Sequence, residues 1–549
     1  MAATYAQHVS KKVTPQSQAI PGSNQVPNSA GGFSWKVDCW TRLHRFLILG
    51  SEKGCYYASE KKLTVENAVA VLECAKADIA RTINTIVEIS DGGRAPKNDA
   101  AIFALGLLIG EKGEIGNAAL AAMSKVCRIG THLFQCAATV DATRGWGRSV
   151  RRAFSDWYLS KEPDKLAYQV AKYQQRDGWS HRDILRLCHA PSNSALMRWI
   201  IGVGNEERSV KRGEAVKQYA AVEGLPAIVE AFEKAKVATT AAEVAGLIRE
   251  HNLPRECVPT QWLNEKEVWA ALLEQMPITA MVRNLGKLSS IGLLSPLSDA
   301  SRLVSDRLGD VERLKKGRVH PIALLLAQCV YKQGHGDKGG LSWTPVPQVI
   351  DALDSAFYSA FAAVEPTGKR HLLALDVSGS MGGAYIAGTW LTAREGSAAM
   401  AMVTARTEPA YHFVGFSHEL IELNITAKMR LDTVVNGISN IPFGRTDCAQ
   451  PMIYALQRKM PVDVFIVYTD NETWCGGIHP AQALAEYRNE MGINAKLIVC
   501  GMVANEFSIA SPEDAGMLDC CGFDASTPTA IMEFVKGFHD AEDSRAAAG

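Results

Sequence analysis

Between about residues 63 and 328 apolar residues recur three and four apart, as in "VENAVAVLECAKADIARTINTIVEI" and "EVWAALLEQMPITAMVRNLGKL". That spacing predicts one amphipathic helix after another. Alternating strand-like runs are nearly absent there, and short breaks such as "DGGRAPKND", "TRGWGRS" and "HAPSNS" separate the helices. Ser180 and Asp99 stand where helix caps are expected. Helix pairs joined in this way stack as an α-solenoid, although no fixed-period repeat marks the units. From residue 369 the texture changes to buried-strand runs ("HLLALDVS", "AYHFVGFS", "VDVFIVYTD", "AKLIVCGM") separated by helical ones ("GSAAMAMVTART", "LDTVVNGIS", "CAQPMIYALQRK", "HPAQALAEYRNEM"). This alternation predicts a doubly wound α/β domain with a mostly parallel sheet. The segment "VPQVIDALDSAFYSAFAAVEPTGKR" supplies the last helix of the first part and the connection.

A chain of 549 residues needs more than one core. Residues 1–28 are rich in Ser, Pro, Gln and Asn without an apolar signal core, and read as a flexible leader. The expected division is therefore 1–28 leader, 29–365 helical module and 366–549 α/β domain. No apolar run approaches the roughly 20 residues that span a bilayer; "AIFALGLLIG" is a buried-helix length, so no membrane partner and a cytoplasmic location are expected. The thirteen cysteines are scattered, with no C-x-x-C pair, and read as buried thiols. Adjacent Cys520 and Cys521 are a candidate redox pair, disfavoured because neighbouring cysteines rarely bridge.

Net charge is zero, from 58 basic and 58 acidic residues, until the chain is divided at Pro366. Beyond it lie 13 Lys and Arg against 21 Asp and Glu, net −8, which leaves 45 against 37, net +8, before it. The basic part is the one suited to a polyanion.

Three places at predicted strand ends carry hard oxygen donors. They are Asp376, Ser378 and Ser380 in "LDVSGSM", Thr446 and Asp447 in "FGRTDC", and Asp470 in "FIVYTDNET". Residues at the carboxyl ends of strands in an open α/β sheet converge, and carboxylates with hydroxyls suit Mg²⁺, or Mn²⁺ or Ca²⁺, rather than zinc. One competing reading makes Ser378, Ser380 and Asp470 helix caps. Another is a phosphatase-like site, but Ser378 stands where a general acid would be required. The preferred reading is a metal-ion-dependent adhesion site with one position open to a partner's carboxylate.

Basic residues near aromatic ones mark the helical part. "AYQVAKYQQRDGWSHRDILRLCHA" is expected to set Lys172 and Arg176 on one helix face, with His189 in the next helix. "ATRGWGRSVRRAFSDWY" carries Arg144, Arg148, Arg151 and Arg152, and Arg283, Lys287, Lys315, Lys316 and Arg318 follow in "RNLGKLSS" and "LKKGRVHP". Such clusters suit phosphate contact with stacking on unpaired bases, or else are solvated helix faces. Trp146 and Trp179 read as core anchors rather than stacking platforms.

Taken together, "RDGWSHRDILRLCH", "MVRNLGKLSSIGLL", "VEPTGKRHLLALDVSGSM", "RTDCAQPM", "FIVYTDNET" and "AKLIVCGM" resemble the Ro autoantigen family, a TROVE module followed by a von Willebrand factor A domain. The resemblance spans nearly everything after the leader. It implies HEAT-like helix pairs in a monomeric ring closed by the A domain. It further implies binding of Y RNA and of misfolded noncoding RNA, with no catalysis. The family's Y-RNA contacts fall on Lys172, Arg176 and His189, and its metal ligands on Asp376, Ser378, Ser380, Thr446 and Asp470. Arg445 departs from the glycine common in relatives and adds positive charge beside the metal. Bacterial relatives also work with an exoribonuclease, of which the sequence shows nothing.

Overall fold

The computed structural model describes residues 13–55, 58–191, 194–201, 223–336, 340–361, 364–442 and 444–536. Contacts among the described residues group 13–71, 94–97 and 361–536 in one compact unit, and 72–93 with 98–360 in another.

This grouping corrects the expected leader from residue 13 onward; residues 1–12 lie outside the described residues. Thr14, Gln16, Gln25 and Asn28 are buried. Strands β1 (Val26–Pro27) and β2 (Phe33–Lys36) pair antiparallel, and β2 pairs in turn with the Phe507–Ser508 strand of the α/β domain. The Gln and Asn residues whose abundance suggests disorder are here spent on buried hydrogen bonds, as polar groups removed from water must be. The charge contrast shrinks as well. Counted over the whole chain, with residues 1–12 and 537–549 added to the α/β part, the helical part holds 35 basic against 32 acidic residues and the other 23 against 26, so +8 and −8 become +3 and −3. Lys36, Arg42, Arg45 and Lys53 belong with the α/β domain.

The helical unit is built as its periodicity predicts. The Asp99–Gly110 helix packs on Glu114–Val126 and Gly130–Thr143, Ala241–His251 on Lys266–Gln275, and Pro321–Gln333 on Pro347–Ser359. Gly106 permits the close approach of the first group, since a Cβ there would lie 2.8 Å from Thr139. Ser180 is an N-cap in a full capping box with Asp183. Asp99 is not a cap: Asn98 takes that position, and Asp99 accepts a hydrogen bond from Gln135 Nε2 at 2.8 Å in the first turn. One hairpin, β3 (Gln175–Arg176) and β4 (Trp179–Ser180), interrupts the helices. No helix among the described residues is long and apolar enough to cross a membrane.

The α/β domain has a six-stranded sheet. Its strands are β5 (Arg370–Asp376), β6 (Ala410–Phe416), β7 (Leu420–Glu422), β8 (Val464–Thr469), β9 (Lys496–Gly501) and β11 (Met517–Cys521), with β10 (Phe507–Ser508) pairing outside it. The order is β11-β9-β8-β5-β6-β7, parallel except for the antiparallel edge strand β7. Strand β8 is buried throughout and β5 beyond its first residue, as strands covered on both faces must be. None of the described cysteines forms a disulfide. Cys520 faces Cys500 on the neighbouring strand, Sγ to Sγ 3.3 Å, so its side chain points to that residue and not to the adjacent Cys521.

Candidate metal centre and nucleic-acid contacts

Strands β5 and β8 are neighbours at the middle of the sheet, with Leu375 paired to Tyr468, so their carboxyl ends open at the same place. Asp376 ends β5, and Asp470 follows β8 by one residue. Both are buried, at 0 % and 3 % exposure, a costly position for carboxylates unless something compensates the charge. Burial, then the neighbouring Asp470, pushes Asp376 up to about 7, and burial likewise raises Asp470. Glu472 is raised to about 8 by the same two causes.

Hydroxyls complete the cluster. The Ser378 amide donates to Asp376 Oδ1 at 2.9 Å, Ser378 Oγ lies 3.1 Å from Ser380 Oγ, and Ser380 bonds to Asp470. Ser378 occupies the N-cap position of the short Gly379–Gly383 helix but makes no side-chain capping bond, so its hydroxyl is turned to the cluster. Thr446 is buried, and its carbonyl accepts from the amides of Trp474 and Cys475 at 3.1 and 3.2 Å, which binds its loop to the one that carries Asp470. Among the described residues no group of three or more His, Cys, Asp and Glu is placed to hold a metal ion. The site is thus two carboxylates with two serine hydroxyls, and Thr446 on the adjoining loop, a donor set that fits a hard divalent cation such as Mg²⁺.

Several supports are not apparent in the sequence. Thr469 donates to Asp376 Oδ2 at 2.6 Å, and Asn505 donates to the Asp470 carbonyl at 2.7 Å. Buried Arg394 reaches the carbonyls of Val377 and Ser378 at 2.6 and 3.1 Å, clamping the loop from below. Arg445 is exposed and lies 5.7 Å from the centre of the Trp474 ring, a cation–π distance.

The basic residues of the helical unit have different settings. Lys172 ends its helix at Tyr173, with Nζ 3.3 Å from the Tyr168 hydroxyl and 5.4 Å from the rings of Tyr168 and Tyr173. Arg176 does not share that helix face. It sits on β3, because Asp177 and Gly178, at φ 51° and 82°, reverse the chain. His189 is exposed in the left-handed conformation just past the His181–Cys188 helix, so about 12 Å of helix separates it from Ser180. Lys172 and Arg176 therefore both precede the chain reversal, one at a helix end and one on β3, and His189 stands at the far end of the helix that follows it.

Arg148, Arg151 and Arg152 are exposed at helical spacing on one face of Arg148–Leu159, and Arg152 lies 3.8 Å from Asp156. Arg144 is committed elsewhere: its guanidinium donates to the carbonyls of Ile109 and Glu111 at 3.0 and 3.4 Å, closing the end of a neighbouring helix. Arg283 is exposed, whereas Lys287 donates to Asn264 at 2.8 Å. Lys315 pairs with Glu312 and Arg318 with Asp91. A groove lined by Tyr168, Lys172, Arg255, Glu256 and Asn284 connects the Lys172 helix with the helix bearing Arg283. Trp146 and Trp179 are half-buried, 6.0 Å apart, with Phe154 packed on Trp146.

A stacked-helix module joined to a von Willebrand factor A-type domain, with an acid-and-hydroxyl cluster at its central strand ends, defines the class. The TROVE domain family matches residues 26–330, and the Ro60 vWA domain family matches residues 370–535. The chain belongs to the TROVE-domain family, with a vWA domain of the Ro60 kind. It is similar to a protein of Deinococcus radiodurans named RNA-binding protein RO60, at 40% identity over 95% of this chain and 97% of that protein. A Caenorhabditis elegans protein of the same name is 38% identical over 96% of this chain and 92% of its own length. The crystal structure of the Deinococcus radiodurans RO (RSR) protein superposes with a TM-score of 0.65, covering 91% of this chain and all of that one.

Proposed function

We propose that this chain is a noncatalytic RNA-binding protein acting in the cytoplasm, one that takes Y RNA and misfolded noncoding RNA and serves as a scaffold for their quality control. The observation that carries the reading is its similarity, over nearly the full length, to two proteins named RNA-binding protein RO60. The RNA contacts are assigned to Lys172, Arg176 and His189, with Arg148, Arg151 and Arg283 adding charge along exposed faces. Cationic side chains in solvent suit phosphate contact, which releases counterions and makes affinity fall steeply with salt. The decisive test is a gel shift with a Y RNA at physiological salt. Replacing Lys172, Arg176 and His189 together by alanine is expected to weaken binding by about tenfold or more. Unchanged affinity would remove the assignment.

The buried cluster is assigned to Mg²⁺, held by Asp376, Ser378, Ser380, Thr446 and Asp470. The cation would supply a Lewis-acidic position for a partner protein's Asp or Glu. The chain's own residues keep the oxygens in place and exclude bulk water from the carboxylates. No general acid stands at Ser378, so hydrolysis is not assigned. Phosphatase or nuclease turnover lost with Asp376→Ala would contradict that.

A further inference from the structure

Gln16 lies outside both matched domain spans and within the stretch whose composition suggests a flexible leader. Yet it is fully buried. Its Nε2 donates to Asp447 Oδ1 at 2.6 Å and to the Ile478 carbonyl at 2.7 Å, and its Oε1 accepts from the Thr473 hydroxyl. Its backbone is held too: the Gln16 amide donates to the Gly476 carbonyl, and the Phe33 amide to the Gln16 carbonyl, both at 2.9 Å. Gly476 has no Cβ because one would collide with the Gln16 and Asp447 side chains.

The two loops that Gln16 joins are those of the cluster. Asp447 follows Thr446 directly, and Thr473 stands three residues beyond Asp470. The Thr473 hydroxyl accepts from the Cys448 amide at 3.1 Å while donating to Gln16, so amide and hydroxyl form one bridge between the loops. Neighbouring residues reinforce it. Asn28 donates to the Thr473 carbonyl at 2.7 Å, the Ser34 hydroxyl to the Asn471 carbonyl at 3.1 Å, and the Ser29 amide to Glu472 at 2.9 Å.

We propose that Gln16 is a positioning residue for the metal centre: supplied from the far end of the chain, it sets the spacing between the loop carrying Thr446 and the loop carrying Asp470. The inference rests on the assignment of a divalent cation to that cluster. A hard cation needs its oxygens placed before it arrives, and residues that hold ligands in place govern affinity without touching the metal.

The test is calorimetric titration of Mg²⁺ into the full chain, together with melting in EDTA. Gln16→Ala is expected to weaken Mg²⁺ binding by about tenfold and, because Asp447 and Thr473 each lose a buried partner, to lower the EDTA melting temperature as well, so affinity is compared at a temperature where the variant is still folded. Thr473→Val should do the same, and Thr473→Ser, which keeps the hydroxyl, should retain affinity. Gln482→Ala removes a contact of the same segment to Thr14 away from the loops and should leave affinity within about twofold. Unaltered Mg²⁺ affinity in both Gln16→Ala and Thr473→Val overturns the inference while leaving the metal assignment intact. Failure of the unaltered chain to bind Mg²⁺ overturns both.

Discussion

Arg148, Arg151 and Arg283 stand in solvent on helices of one unit, whereas Asp376 and Asp470 lie beneath the surface of the other. The exposed cations keep their hydration and their freedom, which suits a flexible polyanion met in many orientations. The buried carboxylates have lost both. They are useful only to a small, strongly charged ligand that repays desolvation at one point. Net charge hardly separates the two regions once the units are drawn by contact, since +3 against −3 is a small contrast. What separates them is how deeply each places its charges, and a linear sum does not report that.

The two regions should part most widely under acid. In the helical unit His181 is buried among Phe134, Trp157 and Tyr158, with its Nδ1 2.9 Å from the Tyr158 hydroxyl. Burial lowers it to about 3, and burial lowers His132 to about 4. Both are neutral when folded and take up protons when unfolded. Stability therefore rises with pH between each folded value and about 6.5, and falls as pH is lowered through that window. Between pH 6.5 and 4.5, His181 alone accounts for about 2 kcal/mol. Amide exchange of the helices 130–188, corrected for intrinsic rate, should accelerate accordingly, and His181→Gln should remove about half of the dependence, the rest belonging to His132. An equally steep dependence in that variant would assign the effect elsewhere.

Metal sharpens the contrast from the other side. At about 100 times its dissociation constant, Mg²⁺ should stabilise the A domain by about 2.7 kcal/mol, while the described residues of the helical unit include no such cluster to respond. Asp376→Ala should reduce Mg²⁺ affinity by about a hundredfold or more in calorimetry and leave the RNA gel shift unmoved. Loss of RNA affinity in that variant would mean that the two sites are not separate.

How much of this was legible follows from the range of each interaction. Strands β5 and β8 announce themselves as apolar runs, and Asp376 and Asp470 are read directly from where those runs end. The hairpin that carries Arg176 had its own local signal, Asp177-Gly178, a dipeptide suited to tight hairpin turns. A helical spacing of four residues masked it. Arg394 and Gln16 carry no such signal. Gln16 meets Asp447 across 431 positions, and a glutamine in a polar segment looks alike whether solvated or buried. The edge strand β11, with Asp519 at its centre, lacks an apolar run because that carboxylate is answered by Arg45 at 2.6 Å. Asp99 was misplaced by one residue as a cap, an ordinary uncertainty at helix ends.

Arg144 tests whether a basic cluster acts as a whole. Its bonds to the Ile109 and Glu111 carbonyls should make Arg144→Ala cost about 1–2 kcal/mol of stability, since a charged donor to buried acceptors is lost. Denaturant unfolding would read that loss. The RNA gel shift should move less than it does for Arg148→Ala. If RNA affinity falls instead with stability unchanged, the guanidinium is free for phosphate and the cluster functions as one surface.

Arg151 carries the smallest expected effect and bears most directly on whether its helix face is used. It is exposed, on the same face as Arg148, and no ion pair fixes it among the contacts described. A single phosphate contact of this kind reduces affinity only a few-fold at physiological salt. Its loss should lower the slope of log affinity against log salt by about 0.7 to 0.9, depending on whether the phosphate belongs to a single or double strand. A salt titration of Arg151→Ala beside the unaltered chain would therefore show two lines that diverge at low salt and approach each other at high salt. Parallel lines displaced by a constant would point to altered folding, and coincident lines to a solvated face that RNA does not touch. The equivalent titration of Asp376→Ala should coincide with the unaltered chain at every salt concentration, because a buried carboxylate offers no phosphate contact to lose.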